Sequence, residues 1–432
     1  MICNNISVNA SGHLCFAGVD VTELAAKYAT PLYLLDENKI RENCRVYMDA
    51  MKAAFGHEAL PLYAGKALCI KDVYRIMREE NMGIDVVSSG EVFTAKAAGF
   101  PMERAYFHGN NKTNADISYA MDAGIGYFVC DNYEELLAIE NEATARNITQ
   151  KILIRVTPGI DPHTHKAIST GSVDSKFGAA IETGDAEFLV GLALKQPHVD
   201  LMGYHCHIGS QIFETQPFLD AADIMLTFVS DMRERIGYTA KELNLGGGMG
   251  VRYLEGHPDI DYTANIYEIA QHMKAVCERL GLEIPAIRME PGRSIVADAG
   301  LTLYTVGSVK RIPGYKNYVS VDGGMTDNPR FALYRAPYTV ALANKMNEKA
   351  GLRASLVGRC CESGDIIQED VGFPETVTRG DVAAVMTTGA YNYAMSSNYN
   401  RIPRPPVVML KGGEDKLVVR RETFADICKN DL

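Results

Sequence analysis

The sequence predicts an α/β fold: a (β/α)8 TIM barrel joined to a C-terminal, largely antiparallel β domain, a sandwich or barrel that also takes in the N-terminal segment. Two observations carry this. From about residue 60, short apolar runs rich in β-forming residues alternate with amphipathic stretches of helical period, the signature of a parallel sheet covered by helices. After Arg293 the long helical stretches stop, and strand-like runs broken by Gly, Pro, Asn and Asp follow one another. The expected boundaries are 36–290 for the barrel, with 1–35 and 291–432 for the β domain.

Eight strand candidates support the barrel: Pro61–Ala67, Ile84–Ser89, Ala105–Gly109, Gly126–Asp131, Lys151–Pro158, Leu201–Gly209, Glu242–Gly248 and Ile287–Arg293. Between them lie helical segments such as IKDVYRIMREE, NADISYAMDAG, NYEELLAIENEATA, FLDAADIMLTFVSDMRER and ANIYEIAQHMKAVCERLG. A doubly wound sheet usually stops at about five or six strands, so eight βα units favour the closed barrel. The later runs LYTVGSVKRI, YKNYVSVDGG, ASLVGRCC, DVAAVMTTGAY, VVMLKGG and KLVVRR read as strands of the second domain. GHLCFAGVDV and TPLYLLD, before the first barrel unit, read the same way and are candidates to pair with them.

Composition narrows the functional classes. The 432 residues carry 43 Lys+Arg against 54 Asp+Glu, a formal net charge of -11, with 47% hydrophobic residues and no tryptophan. Those proportions describe a globular chain, and the acidic balance without a basic run argues against nucleic acid as a partner. No long uninterrupted apolar stretch and no leader-like start are present, so a cytoplasmic protein without a membrane partner is expected. The ten cysteines are scattered without a CxxC pair, which fits reduced, buried thiols better than disulfides or a zinc site, and no metal is expected. The adjacent pair Cys360 and Cys361 is the exception worth holding.

Reactive groups of a TIM barrel sit at the C-terminal ends of its strands. Here those ends carry Lys66, Asp85 with Ser88, His108, Asp131, Arg155, His205 with His207, Gly246 to Gly248, and Glu290 with Arg293. Each alone could be a satisfied polar group at a strand end; their concentration at one rim points to a site. Lys66 lies in the apolar run LPLYAGKALCI, where burial would lower its amine pKa and favour imine formation, unless the side chain snorkels out to solvent. The glycines of NLGGGMG suit a phosphate cradle, and equally a simple glycine-rich turn. An imine-forming lysine, a phosphate nest and an acid able to hold a protonated pyridine nitrogen together describe a pyridoxal-phosphate site.

At this point the sequence resembles the fold-type III pyridoxal-phosphate decarboxylases, and within them the group acting on diaminopimelate. The matching motifs are YAGKA, IDVVSSGE, FHGNNK, RVTPGIDPHTH, STGSVDSKFG, GYHCHIGSQI, LNLGGGMG, MEPGRS, CCESGD and GAYNYAMSSNYN, in family order over roughly residues 30–400. The resemblance implies Lys66 as the lysine bonded to pyridoxal 5'-phosphate, with Asp85 nearby. It implies His207 stacked on the ring, Glu290 paired with the pyridine nitrogen, and Ser210, Gly247, Gly248, Gly292 and Arg293 around the phosphate. An acid at the ring nitrogen keeps the ring a strong electron sink, favouring decarboxylation over racemisation.

It further implies a homodimer with shared active sites, in which Cys361 and Glu362 reach the partner's barrel mouth. There the Cys361 thiol would reprotonate the carbanion and Glu362 would recognise the far amino group of the substrate. Arg293, Arg330 and Tyr334 match positions that bind the distal carboxylate, and Tyr391 the position touching both cofactor and substrate. Two guanidiniums call for a carboxylate partner, whereas a diamine-forming decarboxylase needs acids at the far end. The expected reaction is therefore conversion of meso-2,6-diaminopimelate to L-lysine and CO2. The rivals are decarboxylation of carboxynorspermidine or another basic amino acid, and a catalytically silent homologue.

Overall fold

Residues 2–160 and 175–432 are described by a computed structural model. Parts of the motifs RVTPGIDPHTH and STGSVDSKFG therefore lie outside the described residues. The chain divides into two compact units, one of residues 43–250 and 260–294, the other of residues 1–42, 251–259 and 295–432.

The first unit is the expected barrel. Its strands run Leu60–Ala64, Gly83–Val86, Ala105–Phe107, Tyr127–Cys130, Gln150–Thr157, Val199–His205, Glu242–Asn244 and Ala286–Met289, and neighbours pair in parallel in this order. The ring closes where Arg288 and Met289 pair with Leu60 and Pro61. Leu62, Tyr106, Val129 and Leu153, each at most 1% exposed, fill the interior. The interior also buries polar groups in mutual satisfaction: Arg288 Nη2 meets Glu242 Oε2 at 2.8 Å, and the Tyr106 hydroxyl donates to Glu242 Oε1 at 2.7 Å.

Local sequence explains why each strand hands over to a helix promptly. Ser88 caps helix Ser89–Ala97 by accepting from the Glu91 amide, Thr113 and Asp116 form a reciprocal capping box on Asn114–Asp122, and Asn132 caps Tyr133–Arg146. Helices Gln216–Ile236 and Tyr262–Leu280 end on Gly237 and Gly281, both left-handed, the conformation glycine adopts without a Cβ penalty. A 19-residue helix, Glu37–Phe55, precedes the first barrel strand. The sequence pattern does not reveal it, because its charged opening, ENKIREN, hides the apolar face.

The second unit is built on strand Gly300–Arg311. It pairs antiparallel with Leu32–Asp36, Asn317–Val321 and Val382–Met386. TPLYLLD thus joins the C-terminal β domain, pairing in parallel with Val407–Lys411 on its other side. Strands Ile366–Pro374 and Val340–Leu342 add to those read from sequence, and a parallel pairing of Asn317–Val321 with Ala350–Val357 makes the sheet mixed. Leu14, Phe16, Leu32, Leu34, Leu301, Leu303, Val408 and Leu410 form its core. Among the described residues no helix is long and apolar enough to cross a membrane.

Candidate active site

The C-terminal ends of the barrel strands converge on two carboxylates. Glu290, one residue past the eighth strand, is buried, with Asn244 Nδ2 donating to its Oε1 at 2.7 Å. His205 Nε2 lies 3.1 Å from Oε2, and His108 Nε2 lies 2.9 Å from Oε1. Burial works against the charge on Glu290, but the surrounding His108 and His205 outweigh it and hold the carboxyl well below the usual range. Asp85, on the second strand, is also buried, and its Oδ1 has no hydrogen-bond partner. Burial, with Glu290 nearby adding to it against His108, pushes Asp85 up. His108, His205 and Glu290 place their donor atoms within 4.8 Å of one another.

Lys66 follows the first strand in a short turn, Gly65–Ala67, and is exposed rather than buried. The expectation of a desolvated amine is corrected: two residues past the last strand position, the side chain leaves the apolar wall and opens at the mouth. Its charge still acts on the Asp85 and His207 side chains. Burial first, then the Lys66 and Arg155 charges, pull His207 well below its ordinary value, so its ring is neutral. Gly247 N–H donates to His207 Nδ1 at 3.3 Å, leaving the ring proton on Nε2.

The glycines of LNLGGGMG are required by close approach. A Cβ on Gly247 would sit 2.1 Å from the Glu290 carbonyl oxygen, and Gly246, at φ +69°, would meet the Cys206 carbonyl oxygen at 2.5 Å. Gly246 N–H is bonded to Asn244 Oδ1, so two of the three amides expected to face a phosphate are already engaged by side chains. Arg293 is buried and donates from Nη2 to Ser210 Oγ at 2.8 Å, joining the two polar groups expected there; Gly292 packs 2.8 Å, at a notional Cβ, from Ala64.

The β unit holds the remaining candidates. Arg330 is 4% exposed and forms no ion pair with a carboxylate among the described residues. Its Nε donates to the Tyr334 hydroxyl at 3.0 Å and its Nη1 to the Tyr338 hydroxyl at 2.7 Å, with the Tyr253 ring 4.9 Å away. Asn392 Nδ2 steadies Tyr338 at 3.1 Å. Tyr391, half-buried, occupies a left-handed backbone position at φ +60°. Cys361 and Glu362 are exposed on the single chain, whereas Cys360 is buried and its thiol is pushed up to about 11 by burial and the neighbouring Asp365. Asp365 accepts from the Cys360 and Met325 amides, and Asn400 Oδ1 accepts from the Cys361 amide at 2.8 Å, shaping this loop. All ten cysteines are free, but not all the rest are buried as expected: Cys3 and Cys69 are half-buried and Cys428 is exposed.

Residues 37–297 match the family described as pyridoxal-dependent decarboxylase, pyridoxal binding domain. A relative named diaminopimelate decarboxylase from Bacillus subtilis (strain 168) is 46% identical over 424 residues, 98% of this chain and 96% of its own. The chain belongs to the diaminopimelate decarboxylase family. Another member, from Staphylococcus aureus (strain COL), is 42% identical over 99% of both chains. Among solved structures, the diaminopimelate decarboxylase of M. jannaschii in co-complex with L-lysine superposes with a TM-score of 0.92 at 33% identity, covering 100% of this chain and 98% of that one.

The cofactor of this family is pyridoxal phosphate, and the barrel side chains fit it. The fit rests on an anionic carboxylate with acceptor capacity left on Oε2, a neutral imidazole, an amine open at the strand end, and a Ser-Arg pair for an anion. The family sequence motifs missed Asn244, Tyr253, Tyr338 and Asn392. Asn244 stood inside LNLGGGMG and Asn392 beside Tyr391, but neither position carries chemistry legible without its partner.

Proposed function

We propose that the chain removes CO2 from meso-2,6-diaminopimelate to yield L-lysine, using pyridoxal phosphate. The observation that carries the substrate assignment is Arg330, a buried cation caged by tyrosines with no carboxylate partner among the described residues. A permanently charged guanidinium in such a setting calls for an anionic ligand group; besides the carboxylate that departs, a diamine-forming substrate has none, whereas diaminopimelate has a second carboxylate at its far end.

Pyridoxal phosphate, when bound, supplies a pyridine ring that takes up the electron pair left as CO2 departs. The chain's own groups would do the rest. Lys66 Nζ would hold the cofactor and release it to the substrate amine, and Asp85 would sit near that exchange. Glu290 would accept from the ring nitrogen, His207 would lie flat against the ring, and Ser210, Gly248, Gly292 and Arg293 would hold the phosphate, with Gly247 contributing the room its missing side chain leaves and its amide given to His207. Arg330, Tyr334 and Arg293 would bind the distal carboxylate, with Tyr391 between cofactor and substrate. After CO2 leaves, Cys361 would deliver the proton on Sγ to the carbanionic carbon while Glu362 orients the far ammonium. The exposure of Cys361 and Glu362 on one chain supports a homodimer in which each subunit completes the other's site.

The test is a substrate panel of meso-diaminopimelate, ornithine, arginine and carboxynorspermidine, assayed with pyridoxal phosphate. Lysine formation from diaminopimelate alone is expected. Turnover of ornithine or arginine in its place would contradict the assignment.

A further inference from the structure

Two carboxylates lie buried at the same end of the barrel, and the protein treats them differently. Asp85, 3% exposed, has a buried oxygen without a partner. Glu290, 7% exposed, is met by side chains from three strands or their ends: Asn244 hydrogen-bonds Oε1 at 2.7 Å and His205 Oε2 at 3.1 Å, while His108 Nε2 lies 2.9 Å from Oε1 without hydrogen-bond geometry. The two imidazoles stand edge to face, with centroids 4.8 Å apart and planes at 70°. Burial pulls His205 down to about 4, so at neutral pH it is an uncharged ring whose proton belongs on the nitrogen facing the carboxylate. Its Nδ1 is buried without a partner. Retaining such an orphan makes sense only if the ring is held for what Nε2 does.

The distribution on Glu290 is uneven. Oε1 is crowded by Asn244 and His108, whereas His205 alone faces Oε2. We infer that His205 is a positioning residue that, with Asn244 and His108 packed at Oε1, fixes Glu290 as an anion with Oε2 turned out as acceptor, and so makes it, rather than Asp85, the partner of the cofactor's ring nitrogen. The opposite shifts of the two carboxyl groups, Glu290 down and Asp85 up, agree with that division of roles. Lys66 and Arg155 also act on Asp85, yet neither restores its ordinary acidity. The inference rests on the pyridoxal-phosphate reading.

The experiment loads apo-protein with pyridoxal phosphate or its 1-deaza analogue, in which carbon replaces the ring nitrogen, and follows binding by absorbance. His205→Phe keeps ring volume without an N–H. It is expected to weaken pyridoxal-phosphate binding about tenfold, the scale of one lost hydrogen bond to a charge, while changing binding of the deaza analogue by less than about twofold. His205→Gln retains a donor and is expected to bind both ligands as wild type does. If a phenylalanine variant does not fold, the leucine variant carries the same comparison. Equal weakening of both ligands, or of neither, would overturn the inference while leaving the cofactor assignment standing. Wild-type protein that binds neither ligand would overturn both.

Discussion

In the proposed reaction the chemistry turns on Glu290 and Cys361, and each proposed role makes a distinct kinetic demand. Glu290→Gln removes the fixed negative charge opposite the ring nitrogen, a contribution that matters as electrons move onto the ring. We expect kcat for diaminopimelate to fall by about a hundredfold or more, measured as CO2 release under saturating cofactor. If Cys361 is the proposed proton donor, used only after CO2 has left, Cys361→Ala lowers kcat while cofactor affinity stays as in wild type. Cys360→Ala, at a buried thiol, leaves kcat largely intact; the reverse pattern would transfer the proton to Cys360. At this scale the sequence showed the Glu290 carboxyl at a strand end, where the structure buries it; Arg330 entered only through the family resemblance. The sequence misled for Lys66, because an apolar run says nothing about where the strand stops, and the side chain two residues beyond the strand is exposed.

The barrel's βα units were readable because eight parallel strands, buried on both sides, need apolar runs and their covering helices need a 3.6-residue period. Helix Glu37–Phe55 and strand Ile366–Pro374 were not, since charged residues interrupt both patterns. The motif lysine of FHGNNK shows a further difference between motif and role. Lys112 Nζ donates to Glu135 Oε1 and the Val129 carbonyl at 2.8 Å and to the Gly109 carbonyl at 3.0 Å, with both charged side chains at most 3% exposed. It clamps the end of the third strand to the fourth βα unit rather than meeting a ligand. Lys112→Met strands the Glu135 carboxylate and is expected to cost about 3–5 kcal/mol in denaturant unfolding, whereas Lys112→Met with Glu135→Leu recovers most of that loss. A single variant as stable as wild type would contradict the clamp.

Across the whole molecule, buried titrating groups set how stability depends on pH. Asp327, packed in the β unit, accepts from Tyr304 and the Gly324 amide, yet burial pushes it up to about 7. A carboxyl raised in the folded state favours folding most below its unfolded value, and that contribution is lost as pH rises from about 4 to 7. His205, drawn down to about 4, acts in the opposite sense: its contribution is present above about 6.5 and lost as pH falls toward 4. Asp327→Asn should therefore remove a decline in stability between pH 5 and 7, read by chemical denaturation at the two pH values; an unchanged slope would assign the dependence elsewhere. The claim that unites residue, element and molecule is decarboxylation of diaminopimelate, and its most direct measurement is a carbon balance on carboxyl-labelled meso-diaminopimelate with the cofactor-loaded protein. The account predicts labelled CO2 and L-lysine in equal amounts. Consumption of diaminopimelate without CO2, or CO2 without lysine, would contradict it.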